Sequence, residues 1–149
     1  MNATLPTPVT RQRVATAVQA AGLVPFLGGP DQVAAIVPGH VVRLIVPEGR
    51  PPQGVAEWPR SLAIRHAPDV AEVVRHFNAT TYLPKMTTSV NDRGQIRVLL
   101  QHTFNWSGGG TDDQVAGEVR QFIIASLAAF NALDARFPDP WATEEQTNA

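Results

Sequence analysis

The chain has 149 residues, of which 44% are hydrophobic, and it therefore suits one compact domain that buries roughly two-thirds of its unfolded surface. A formal net charge of −1 argues against a nucleic-acid-binding protein, because phosphate contacts need clustered positive charge. The absence of cysteine excludes disulfides, thiol nucleophiles and thiolate metal sites.

The first half of the chain predicts one helix followed by short strands. Thr7 can cap the helix, Pro8 suits its first position, and Gly22 can end it in a left-handed conformation. The four prolines and two glycines of residues 47–59 predict an irregular surface loop. Short apolar, β-branched runs separated by turn signals predict strands at 23–27, 33–37, 41–46 and 62–66.

The second half predicts a helix and then a β-hairpin. Pro68 and Asp69 mark the first turn of the helix, which should end near Asn78. Residues 82–90 and the strand from Gln95 pair across a turn at 91–94, in which Gly94 takes a positive φ. In the second strand the apolar residues alternate on one face: Ile96, Val98, Leu100, Phe104 and Trp106.

The last helix has the clearest N-terminal signal. Thr111 followed by Gln114 is a capping-box pattern, and Asp112 and Asp113 lie where the helix dipole favours negative charge. Pro138 ends the helix. The resulting order, α-β-β-β-(β)-α-β-β-α, predicts an α+β fold with helices packed on a largely antiparallel sheet. We expect one domain at 7–139 between a flexible N-terminus at 1–6 and a flexible tail at 140–149.

The region 77–139 resembles the YbjN-domain family, a bacterial group described as putative sensory transduction regulators. The resemblance implies a fold similar to type III secretion chaperones, which are usually dimeric and hold an extended segment of a partner polypeptide. It implies no enzymatic activity and no cofactor, and the proline-rich connection before residue 62 is longer than we would expect. The matching motifs are Phe77-Asn78, Tyr82-Leu83-Pro84-Lys85, Asn91-Asp92-Arg93-Gly94, Trp106 to Gly110, Thr111-Asp112-Asp113-Gln114-Val115 and Phe137-Pro138-Asp139.

Two kinds of small-ligand site can be weighed from the residues. Gly109, Gly110 and Thr111 lead into a helix N-terminus, where free N–H groups can hold an anion; the alternative is a flexible corner, since the lysine of a P-loop is missing. No histidine has a partner at metal-ligand spacing, and His102 is expected to be a core or sheet-edge residue. No motif indicates a catalytic nucleophile, so we predict no metal site and no catalytic residue.

The remaining candidates are surfaces. Leu83 and Leu99 interrupt the outward faces of the two hairpin strands, so an apolar patch there binds a partner or is buried under a loop or helix. Trp58 and Trp141, both in segments predicted to be irregular, either anchor an interface or pin their loops.

The leading hypothesis is a non-enzymatic regulator or chaperone-like adaptor that binds another polypeptide, as a homodimer. The N-terminal residues do not form a signal peptide and no apolar run spans a membrane, so we expect a cytoplasmic protein without a nucleic-acid or membrane partner. The runner-up hypothesis is a small-ligand sensor that uses the corner at residues 108–111.

Overall fold

The chain folds into one six-stranded sheet and three helices; the structure is a computed structural model and describes residues 5–139. The helices are α1 (Arg11–Ala20), α2 (Ala67–Thr80) and α3 (Asp112–Arg136). The strands are β1 (Pro25–Gly28), β2 (Gln32–Val37), β3 (His40–Ile45), β4 (Gln53–Ala63), β5 (Lys85–Val90) and β6 (Gln95–Thr103). The predicted α+β class and element order are therefore confirmed, with four strands before α2.

Every neighbouring pair of strands is antiparallel, and the spatial order is β1-β2-β3-β4-β6-β5. The first four strands form a meander, and the β5–β6 hairpin joins it through β6. Two strands, β1 and β5, consequently have a free edge. No helix within residues 5–139 is both long and apolar enough to cross a bilayer.

One face of the sheet, here called the covered face, shares a single hydrophobic core with the helices. Alternate residues of the strands point to it, so each strand repeats with a period of two. From α2, Val70 is buried, and Val73, Val74 and Phe77 are packed against the same core. The largest fully buried side chains of this core are Trp58, Phe104, Phe122, Phe130, Leu44, Met86, Leu100 and Leu133. The opposite side of the sheet is called the open face.

The predicted irregular loop at 47–59 is wrong in its second half, because the 11-residue strand β4 begins at Gln53 and continues past residue 59. Trp58, predicted to lie in an irregular segment, is a fully buried strand residue, and its indole N–H donates to Asp134 at 2.9 Å. The β4–β6 register shifts between Glu57 and Ser61, and Pro59 lies inside this irregularity, where its missing N–H interrupts no regular ladder. The predicted short strand at 62–66 is also corrected, since β4 ends at Ala63 and a 3₁₀ turn follows.

The first helix begins later than its capping residues predicted. Thr10 is the N-cap and its side chain accepts a hydrogen bond from the Arg13 N–H, whereas Thr7 pairs with Gly110 in an isolated β-bridge. Tertiary pairing therefore takes the Thr7 segment away from the helix. The predicted left-handed glycine after the helix is confirmed, since Gly22 has a φ of 83°.

The second half of the chain matches its predictions closely. α2 continues to Thr80 and β5 begins at Lys85, so both boundaries move by a few residues. Gly94 takes its positive φ of 71° in the hairpin turn, and the capping box of Thr111 and Gln114 is formed at the start of α3. Trp141, the predicted tail at 140–149 and residues 1–4 of the predicted flexible N-terminus lie outside the described residues.

Candidate functional site

The open face of the sheet carries apolar side chains that no helix packs against in the core described above. One row of directly paired residues across the sheet consists of Phe26, Ala34, Arg43, Val55, Gln101 and Lys85. The neighbouring row contains Ile36 opposite Val41 on one side of the sheet, and Leu99 between Glu57 and Thr87 on the other. Apolar residues therefore dominate the half of this face built by β1 to β3.

Exposure separates this surface from the core. Phe26 is 51% exposed, Ile36 55% and Val41 37%, whereas the residues of β2 and β3 that alternate with them are buried. We call Phe26, Ala34, Ile36 and Val41 the open-face patch. A contiguous apolar surface of this kind on a folded domain is typical of an interaction site.

Positive charge accompanies the open-face patch. Arg43 lies beside Ala34 in the row and forms no hydrogen bond or ion pair with another residue in the range 5–139. Arg97 is paired with Glu57, which is the only acidic residue that the described strands place on the open face. The electrostatic field over this face therefore favours an acidic partner.

The two leucines predicted to bind a partner have different positions in the structure. Leu99 is half-buried on the open face, opposite Thr87 of β5. Leu83 is half-buried in the connection between α2 and β5, so it is not part of the hairpin strand to which the sequence assigned it. The structure does not place the two residues opposite each other in the ladder.

Sequence reasoning missed the open-face patch because strand β2 is apolar on both faces. The run Val33-Ala34-Ala35-Ile36-Val37 shows no alternation, so it does not reveal which of its residues are buried. One sequence feature does indicate an apolar open face: the run contains no polar residue, which is expected when both faces of a strand meet apolar surroundings.

The free edge of β5 is partly closed by α2. The Asn78 side-chain amide donates to the Met86 carbonyl at 2.9 Å and accepts from the Met86 N–H at 2.8 Å, as a neighbouring strand would. By the alternation of an antiparallel ladder, the N–H and C=O groups of Thr88 and Val90 point to the same edge. Both residues are exposed, so β5 retains a short pairing edge beyond Met86.

The glycine corner predicted to hold an anion is bonded within the chain. The N–H groups of Gly109, Gly110 and Thr111 donate to the Trp106 carbonyl, the Thr7 carbonyl and the Gln114 side chain, each at 2.9 Å. A β-carbon on Gly109, which has a φ of 84°, would lie 2.6 Å from the Thr7 carbonyl oxygen. An anion at these three groups would have to displace existing hydrogen bonds.

Arg13 adds a second constraint on this corner. Its guanidinium donates to the Gly110 carbonyl at 2.7 Å and to the Asp112 carboxylate at 2.8 Å, and it also bonds the Thr7 and Pro8 carbonyls. The arginine therefore ties the segment before α1 to the start of α3. The anion hypothesis at Gly109, Gly110 and Thr111 remains a prediction, and the bonds present give these residues a structural role.

The histidines form no cluster with other potential ligands, and within residues 5–139 no group of three or more His, Asp or Glu side chains is positioned to hold a metal ion. His102 lies on the covered face, where its ring meets the edge of Phe104 at a centroid distance of 4.9 Å. Burial lowers the pKa of His102, and the nearby Glu118 carboxylate partly opposes this shift.

Comparison with known proteins identifies the family. The family model described as "Putative bacterial sensory transduction regulator", YbjN, matches residues 10–135. The chain belongs to the YbjN family. The crystal structure of YbjN from E. coli, titled "a putative transcription regulator", is similar to this YbjN domain with a TM-score of 0.71. That similarity covers 88% of this chain and 96% of the other at 13% sequence identity, and it establishes the fold only. No curated protein matches the chain.

Proposed function

We propose that this YbjN domain is a non-enzymatic regulator or adaptor that binds a segment of another polypeptide on the open face of its sheet. The observation that carries the proposal is the open-face patch, in which Phe26, Ile36 and Val41 are exposed on a face opposite the core. Burial of this apolar surface contributes roughly 25 cal/mol per Å² of area removed from water, and the costs of association are subtracted from that gain. The family description, a regulator, supports this class of function. We expect the protein to act in the cytoplasm.

The charges of the open face define the chemistry of the proposed partner. Arg43 is available for pairing, whereas Arg97 already contacts Glu57. An apolar segment flanked by Asp or Glu residues complements this pattern, because its side chains cover the patch while its carboxylates reach Arg43. A basic segment would meet like charge at the same position.

The homodimer suggested by the resemblance forms the second element of the proposal. Support comes from the edge of β5, where Thr88 and Val90 can pair with the same residues of a second copy about a two-fold axis. This arrangement leaves the open face of each copy accessible. The molar mass in solution, measured by light scattering after size exclusion, is expected to be twice that of the chain, and the mass of one chain would contradict the dimer.

The decisive experiment is capture of partners after brief crosslinking in lysate of the native host, followed by mass spectrometry. The test variant Ile36→Thr/Val41→Thr removes apolar area while retaining β-branched residues, so the strands keep their conformational preference. The matched control is Ile124→Gln, because Ile124 is 53% exposed on α3 and belongs to a different surface. Circular dichroism and thermal unfolding verify that all three proteins are folded.

The expected result is a stoichiometric polypeptide that the wild type and Ile124→Gln recover and the double variant loses. Recovery of the same polypeptide by the folded double variant would refute binding through the patch. The variant Leu83→Asp/Leu99→Asp extends the test to the two sequence-predicted residues. If only that variant loses the partner, the binding surface lies at the β5–β6 end instead.

A further inference from the structure

A cleft of about 740 Å³ lies beside the glycine corner, at the end of the sheet away from the β5–β6 turn. Three segments build it: residues 8–9 before α1, the connection 46–52 between β3 and β4, and residues 103–109 after β6. Thr7 and Gly110, which lie next to the first and third of these segments, form a β-bridge. The volume lies within the range of small-molecule sites.

The walls of the cleft are apolar and conformationally restricted. Phe104 and Trp106 line it as part of the core beneath, with only 2% and 6% of their surface exposed, and stack on each other at a centroid distance of 4.3 Å and an interplanar angle of 11°. The indole N–H of Trp106 donates to Glu118 at 2.6 Å, which fixes the orientation of this ring. Four prolines contribute to the walls, and their fixed φ angles make the cleft largely preformed: Pro8, Pro47, Pro51 and Pro52.

Among residues 5–139, the only formally charged residue that lines the cleft is Arg50. It is exposed, and within residues 5–139 it makes no hydrogen bond or ion pair. The part of the chain that the structure describes contributes no acidic residue to the lining, while Asn105 and Ser107 supply neutral polar groups. A guanidinium beside apolar and aromatic walls matches a ligand with one anionic group and an apolar body.

We propose that this cleft binds a small organic anion, a carboxylate or sulfonate with an aromatic or alicyclic body. The anionic group pairs with Arg50, and the body packs against Trp106 and the proline walls. This site differs from the glycine corner, because the anion is held by a side chain that has no other partner rather than by N–H groups that are already bonded. The proposal is independent of polypeptide binding, which uses other residues.

The test uses anilinonaphthalene sulfonate, an aromatic sulfonate whose fluorescence rises in apolar surroundings. Titration of the full chain is expected to give saturable binding at one site per chain. The amide chemical-shift changes in NMR spectra should concentrate at Val9, Val46 and residues 105–109. Arg50→Gln should weaken binding about tenfold, the effect of losing one charge-assisted contact.

The matched control is Arg43→Gln, which removes an equally unpaired arginine from the open face. Unchanged affinity in this control, together with weaker binding by Arg50→Gln, supports the cleft. Three outcomes overturn the proposal: shift changes centred on Phe26, Ile36 and Val41, equal weakening by both substitutions, or fluorescence that does not saturate. The partner-capture result depends on the open-face patch, so the two proposals can fail separately.

Discussion

The two faces of the sheet carry similar side chains but differ in what covers them. On the covered face, Val33, Val42 and Leu44 are buried under the helices. On the open face of the same strands, Ile36 and Val41 remain exposed. The comparison teaches that residue type does not distinguish buried from exposed strand positions in this domain. The distinction comes from which face the helices cover, and it separates residues of the core from residues that we propose bind a partner.

The two faces are expected to differ most in the free energy of unfolding when a large side chain is shortened on each face. Phe122 of α3 is fully buried and meets Phe104 edge-on, so Phe122→Ala should lower the free energy of unfolding by about 3–5 kcal/mol. Ile36→Thr on the open face should lower it by less than about 1 kcal/mol. Urea unfolding of both variants measures the contrast, and comparable losses would show that the open face is also part of the core.

A smaller difference in the free energy of unfolding is expected when a side chain is enlarged on each face. A β-carbon on Gly54 of β4 would lie 2.7 Å from the ring of Phe122, so Gly54→Ala should cost about 1–3 kcal/mol of the free energy of unfolding. Ala34→Val adds two methyl groups to the open face, and we expect a change within about 0.5 kcal/mol. The comparison fails if Ala34→Val is as destabilising as Gly54→Ala in thermal or urea unfolding.

The smallest expected effect is the change with pH in the contribution of His102, on the covered face, to the free energy of unfolding. The pKa of His102 is lowered from its ordinary value of 6.5, chiefly by burial, so the unfolded chain takes up its proton first during acidification. This proton uptake lowers the free energy of unfolding as the pH falls from about 6.5 through the lower pKa of His102 in the folded state. The stability advantage of the wild type over His102→Gln should therefore be smaller at about pH 5 than at about pH 8.

The control for this prediction is His76→Gln, since His76 is exposed on α2. Urea unfolding of this variant at both pH values shows how much the replacement of an exposed histidine alone changes the free energy of unfolding. If the difference in the free energy of unfolding between the wild type and His102→Gln does not change with pH, burial of His102 does not affect its titration.

Local sequence patterns predict the structure correctly where a segment forms the hydrogen bonds of its own backbone groups. α3 was predicted from its N-terminal residues because the capping box of Thr111 and Gln114 pairs N–H groups that every helix start leaves free. The turn at residues 91–94 was predicted because Gly94 adopts the positive φ that the hairpin requires. In both cases the determining interactions lie within a few residues of each other.

Predictions from local sequence patterns are wrong where pairing between distant segments decides the structure. The prolines of 47–59 indicate a loop, but pairing with β6 and burial of Trp58 extend β4 through the second half of the segment, and the register shift accommodates Pro59. Thr7 was expected to cap α1, yet it pairs with Gly110. Neither partner could be identified from local sequence, because each lies far along the chain.

The amino-acid sequence by itself determined the fold class, the order of the elements and the resemblance to the YbjN family. These features follow from periodicity, capping and turn residues, which act over short distances along the chain. The tertiary structure alone decided which apolar residues stay exposed and brought Arg50 and Trp106 into the lining of one cleft. Those properties depend on the packing of helices on one face and on contacts between distant segments, and the two proposed binding sites arise from them.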